Sequence, residues 1–261
     1  MAINKNLDSS REVRLERLTS PAVESLIQSD APLFFPVGTL EAHGRHLPVG
    51  TDTLCAEGVA LELARRLGGI VAPAFAYGLT NLLAQTAPAS FYPESQWGDF
   101  IETTLRTFRH HGFRRLIVVN GHGGNRPPLQ SLARRLVRER DTALCVINWW
   151  KLSEPAAQQV YGGLGGHAAV EETAAMVAMF PESVVESQYA SATDDYQPLE
   201  GFWCYPPPGE VLIYEGNPTG RPDFCPEKAR RFMDNTLNDI ELRLKRWLAA
   251  ISRLTGGLRP E

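Results

Sequence analysis

A chain of 261 residues, 43% hydrophobic and 21% charged, can form one large α/β domain with a sizeable core, or two small ones. Its net charge of −4 argues against a general nucleic-acid binder, which needs a surplus of Lys and Arg to neutralise phosphate. No run approaches the roughly eighteen apolar residues of a membrane span. The polar start Met1–Asn6 has no apolar core after it and does not resemble a signal peptide. Cys55, Cys145, Cys204 and Cys225 are scattered, with no CxxC pairing, and read as reduced thiols of a cytoplasmic protein.

Pro32–Thr39 is a short apolar run with two phenylalanines, expected to be a buried strand. Thr51–Leu67 has helical periodicity, apolar at Leu54, Val59, Leu61, Leu63 and Leu67, and Gly68-Gly69 closes it. Ile70–Tyr77 is a second apolar run. Gln96–His111 reads as an amphipathic helix stopped by Gly112. Arg114–Asn120, continuous and β-branched, is the clearest strand. Pro127–Arg140 is expected to be helical, with its prolines in the first turn and its arginines on a solvated face. Ala143–Trp149 is another apolar strand. Strands that are continuous apolar runs, alternating with helices, predict a mostly parallel sheet covered by helices on both faces, in a single domain over residues 1–261. Beyond Trp150 the pattern loosens. Ala168–Phe180 predicts a small-residue helix. Pro198–Pro226, rich in Pro, Gly and aromatics, reads as a long loop with short strands at Val211–Tyr214, and Glu227–Leu254 as a closing helix.

The chemistry concentrates in three places. The run Gly38–Asp52 brings Glu41, His43 and Asp52 within twelve positions, just after the first strand. Mixed oxygen and nitrogen donors suit Zn, Mn or Fe. A Glu at the end of a buried strand is costly unless paired or metal-bound. Asp52 has a second reading, as a helix N-cap. Asn120-Gly-His-Gly-Gly-Asn125 stands at the carboxyl end of the best strand, where open parallel sheets bind ligands, so His122 should meet the first cluster. Gly165–Thr173 offers His167 as an acid/base and Glu172 as a metal ligand. Capping is the other reading of Glu171 and Glu172, and one of the two should do only that. Gly163-x-Gly165-x-x-Ala168 imitates a dinucleotide fingerprint but lacks the preceding strand. Trp149 and Trp150 could wall a flat substrate or simply pack in the core. No Gly-x-Ser-x-Gly, P-loop or HExxH is present, so serine and nucleotide hydrolysis have no local support.

Glu-x-His-Gly-x-His-Leu-Pro followed by Thr-Asp, then Asn120–Asn125, then His167–Thr173, resembles in order and spacing the three signatures of the creatininase (creatinine amidohydrolase) family. The resemblance implies a compact α/β fold, two divalent metal ions (Zn, Mn or Fe) and hydrolysis of a C–N bond in a cyclic amide, formamide or small amide. It implies that Glu41 and His122 bind one metal, His43 the other, that Asp52 bridges them and that His167 moves protons. It further implies a homo-oligomer, a hexamer, to which Phe202–Pro208 could contribute contacts. Creatininase proper carries a Glu two residues after the second-motif His; here that position is Gly124. The departure puts creatinine in doubt as substrate and leaves Glu172 as the candidate for the lost ligand. The alternatives are a peptidase acting on a modified peptide, as in the mycofactocin system, or a non-catalytic metal- or ligand-binding homologue. Substrate choice would lie in the loops Gly78–Pro93 and Tyr196–Asp223.

Overall fold

The structure is a computed structural model and describes residues 11–81, 83–136, 143–189 and 220–255. Among the described residues the sheet has four strands, β1 (Leu33–Val37), β2 (Ile70–Val71), β3 (Arg115–Asn120) and β4 (Ala143–Asn148), all parallel, in the order β2-β1-β3-β4. Helices α1 (Ser20–Gln28), α2 (Thr51–Leu67), α3 (Glu94–His110) and α4 (Arg126–Leu136) interleave with the strands. They are followed by α5 (Trp149–Leu152), α6 (Glu154–Tyr161), α7 (Val170–Met179) and α8 (Pro226–Thr255).

Successive strand residues point to opposite faces, and both faces are buried. Leu33, Phe35, Val37, Leu116 and Val118 pack with Trp97, Ile101 and Leu105 of α3 and Leu129 and Leu132 of α4. Phe34, Ile117 and Val119 pack on the other face with Val59 and Leu63 of α2, Met176 of α7 and Phe232 and Ile240 of α8. This double cover is why the strands read as unbroken apolar runs. Truncating a side chain such as Ile117, which is fully buried, costs about 2–5 kcal/mol.

The register decides where function can sit. Val37 pairs with Asn120, and Asn120 with Asn148, so the carboxyl ends of β1, β3 and β4 lie level. The segments after β1 and β3 therefore open on the same edge.

Several elements differ from their sequence expectation. The run from Ile70 to Tyr77 forms a strand only at Ile70–Val71, because Pro73 has no N–H to give the ladder. An isolated bridge between Val37 and Phe75 resumes the pairing. α7 begins at Val170, two residues late, after Ala168 turns left-handed with φ 54°. The short helices α1, α5 and α6 have no counterpart among the elements expected from the sequence. α4 is described to Leu136, and Val211–Tyr214 and Phe202–Pro208 lie outside the described residues. Among the described residues no helix is long and apolar enough to cross a membrane.

Candidate metal centre

β1 delivers the chain to Gly38, β3 to Gly121, and the first turn of α2 fits between them. Gly121 donates its N–H to the Val37 carbonyl at 2.8 Å. A Cβ at Gly121 would collide with the carbonyl oxygen of Asp52, so only glycine lets β3 and α2 come this close. Asp52 is in the first turn of α2, yet Gly50 is the N-cap and Asp52 makes no capping bond. Its carboxylate instead reaches sideways, Oδ1 to His43 Nε2 at 3.1 Å and Oδ2 to His122 Nδ1 at 2.9 Å. The cap reading of Asp52 is thereby replaced.

Three histidines share one construction. His43 Nδ1 donates to the Glu41 carbonyl (3.1 Å), His122 Nε2 to the Leu79 carbonyl (3.0 Å) and His167 Nε2 to the Ala42 carbonyl (2.6 Å). A carbonyl only accepts, so each ring carries its proton on the outer nitrogen and turns the other nitrogen towards the carboxylates. Metal-binding histidines are held in this way. His43 Nε2 faces Asp52 Oδ1 and, at 3.6 Å, Glu172 Oε2. Glu41 Oε1 stands 3.3 Å from His122 Nδ1 and 3.4 Å from His167 Nδ1.

The donors fall into overlapping sets whose ligand atoms all lie within 4.8 Å of one another. Glu41, Asp52 and His122 form one, His43, Asp52 and Glu172 a second, and Glu41, His43 and His167 a third. Asp52 is common to the first two. The residues fit divalent ions on an observation independent of that count. Among the described residues no hydrogen-bond donor is aligned on the buried Asp52 Oδ2, although His122 Nδ1 is 2.9 Å away. Two lone pairs facing each other in a dry site ask for a cation between them.

The electrostatics agree. Burial alone would lower His43, but the Asp52 and Glu172 carboxylates outweigh it and push the imidazole up to about 10. Against the same burial, Glu41 and Asp52 raise His122 well above its ordinary value. Burial pushes the Glu172 carboxyl up to about 8 despite His43. Burial and the neighbouring His43 lower His167 to about 4. Without metal, protons gather on His43 Nε2 and His122 Nδ1, which face the carboxylates, and stay off His167 Nδ1.

The supporting residues are largely backbone-directed. Asn120 Nδ2 donates to the His122 carbonyl and its Oδ1 accepts the His122 N–H, while Asn125 joins the Gly38 carbonyl to the Leu79 N–H. The two glutamates of α7 divide their work. Glu171 accepts the Gly165 N–H with both oxygens, and Glu172 accepts the Ala168 N–H at 2.6 Å while facing His43. At Gly124 a Cβ would run into the Leu79 carbonyl and sit 2.6 Å from His122 Nε2, so this turn has no room for a side chain. His46, given no role by the sequence, is buried and joins Thr173 Oγ1 at 3.0 Å, tying the loop after β1 to α7. Its place in the Glu-x-His-Gly-x-His run was the only signal. Trp149 is 1% exposed and packs in the core.

A family model described as creatinine amidohydrolase (Creatininase) matches residues 16–240. A creatinine amidohydrolase of Pseudomonas putida is 31% identical over 195 residues, covering 67% of this chain and 75% of that protein. A mycofactocin precursor peptide peptidase of Mycobacterium ulcerans (strain Agy99) is 29% identical over 174 residues, covering 61% of this chain and 62% of the relative. The solved structure of a mutant creatininase described as the Zn–Zn type is similar with a TM-score of 0.77 at 23% identity, over 91% of this chain and 98% of that one.

Proposed function

The chain belongs to the creatininase family, and from that premise we propose that it is a two-metal amidohydrolase cleaving a C–N bond in a small amide. Glu41, Asp52 and His122 hold one divalent ion, and His43, Asp52 and Glu172 the other. The observation that carries this reading is the Asp52 carboxylate, buried and shared between two donor sets, facing histidines whose outer nitrogens are already satisfied by carbonyls. Nitrogen and carboxylate donors suit Zn, Mn or Fe.

Bound there, the ions supply Lewis acidity to a substrate carbonyl and lower the pKa of water towards neutrality. The chain's own residues do the rest. Asp52, held at the start of α2, fixes the two sites relative to each other. His167 is neutral at physiological pH, since its pKa is held down to about 4. It accepts a proton from the attacking water at Nδ1 and returns it to the leaving nitrogen. The Ala42 carbonyl on Nε2 keeps the ring from turning away. A cytoplasmic homo-oligomer completes the reading, and size-exclusion chromatography tests the assembly.

Gly124 favours a substrate other than creatinine, because no carboxylate fits where creatininase proper has one. A second reading, cleavage within a modified peptide, draws on the similarity to the mycofactocin peptidase. The test is metal loading followed by a panel of creatinine, formamides, lactams and short peptides. Turnover of small amides supports the first reading and turnover of peptides alone the second. A loaded, folded protein that hydrolyses none of them leaves a binding protein.

A further inference from the structure

The geometry points to a second seat for the ion at His43. We propose that this ion has two alternative positions, His43–Asp52–Glu172 and His43–Glu41–His167. The proposal rests on the two-ion reading above and deepens it. The donor atoms of Glu41, His43 and His167 converge within the same 4.8 Å as those of the two sets already assigned. His167 Nδ1 is 3.4 Å from Glu41 Oε1, the separation taken up by two donors each about 2.1 Å from one ion at a tetrahedral angle. The rings of His43 and His167 lie 4.4 Å apart between centroids. His167 also has the construction of the two assigned histidines, its outer nitrogen fixed by a backbone carbonyl.

Two features weaken the Glu172 position enough for the other to compete. With Gly124 offering none, it has three side-chain donors among the described residues, no more than its rival. Glu172 Oε2, the oxygen that faces His43, also accepts the Ala168 N–H at 2.6 Å. His43 turns a single nitrogen inwards, because Nδ1 is committed to the Glu41 carbonyl, so it serves one position at a time. Movement between them exchanges Asp52 and Glu172 for Glu41 and His167. With the ion on His167 Nδ1, that lone pair cannot take a proton, so the Glu172 position is the working one and the His167 position is idle.

Counting ions after Zn2+ or Mn2+ loading, together with anomalous diffraction from Mn2+-loaded crystals, tests this without reference to activity. Glu172→Gln keeps an acceptor for the Ala168 N–H, and circular dichroism reports its folding. Wild type and Glu172→Gln should each hold about two ions per chain, the second in the variant lying beside His167. Glu172→Gln combined with His167→Phe should hold about one. Two ions in wild type but one in Glu172→Gln, or a second ion in that variant away from His167, overturns the second seat alone. A wild-type chain that takes up no ion overturns the two-ion reading and this proposal with it.

Discussion

Glu172 accepts the N–H of Ala168 at 2.6 Å, and Ala168 holds a left-handed φ of 54°. A non-glycine residue there costs roughly 1–2 kcal/mol, and such strain persists where surrounding contacts impose it. The bond joins His167 and Glu172, five positions apart, into one rigid turn. Ala168→Gly should relieve the strain and change stability by no more than about 1 kcal/mol. Ala168→Val should lose about 1–3 kcal/mol, read by denaturant unfolding of the metal-free protein. Equal stability in the two variants would show that the turn is not strained.

Asp52→Asn addresses the shared carboxylate. It should abolish loading of both ions while leaving the far-ultraviolet circular dichroism of the fold intact. Retention of one full equivalent would show that Asp52 serves a single site.

Gly124→Glu restores the residue type that creatininase proper carries two positions after its second-motif His. Because a Cβ meets the Leu79 carbonyl and His122 Nε2, the change should break the hydrogen bond that orients His122. Metal affinity should then fall by roughly 10–100-fold, measured by isothermal titration, with no creatinine turnover gained. Tighter binding would mean that the turn opens to admit the side chain.

The metal-free protein should respond to alkali. His43 rises from 6.5 to about 10 on folding, so its contribution is fully present below pH 6.5 and is lost as pH climbs towards 10. Glu172, raised from 4.5 to about 8, changes in the same sense. Chelated protein should therefore melt at progressively lower temperature between pH 6.5 and 10. The loaded protein, with ions in place of those protons, should not follow it. Parallel curves for the two forms would contradict the placement of the ions.

Much of the frame was readable where local signals were strong. Thr51–Leu67 forms a helix with the expected boundaries, because its periodicity, first turn and left-handed Gly68 agree. Arg115–Asn120 carries the β-branched run Ile117-Val118-Val119 and is buried on both faces from Leu116 on. What escaped was set by distant partners or short segments. α1 has nine residues and α6 eight, too few for a firm period. The ring nitrogen that each histidine turns inwards depends on carbonyls 43 positions away for His122 and 125 for His167. Consecutive glutamates on α7 diverge by about 100° around the helix, and only the packed turn at Gly165–Ala168 separates the task of Glu171 from that of Glu172. Asp52 looked like a cap because a helix start suits a carboxylate; its neighbours across the sheet edge decide otherwise.

Leu79 holds His122 through its carbonyl, and it also belongs to the Gly78–Pro93 loop expected to choose the substrate. On the proposed function, selectivity and metal retention would share one stretch of chain. Replacing the whole loop to retarget the enzyme would loosen an imidazole at the same stroke. Grafts that begin at Asn81 leave the Leu79 carbonyl, and the Leu79 N–H bound by Asn125, under the control of the original scaffold.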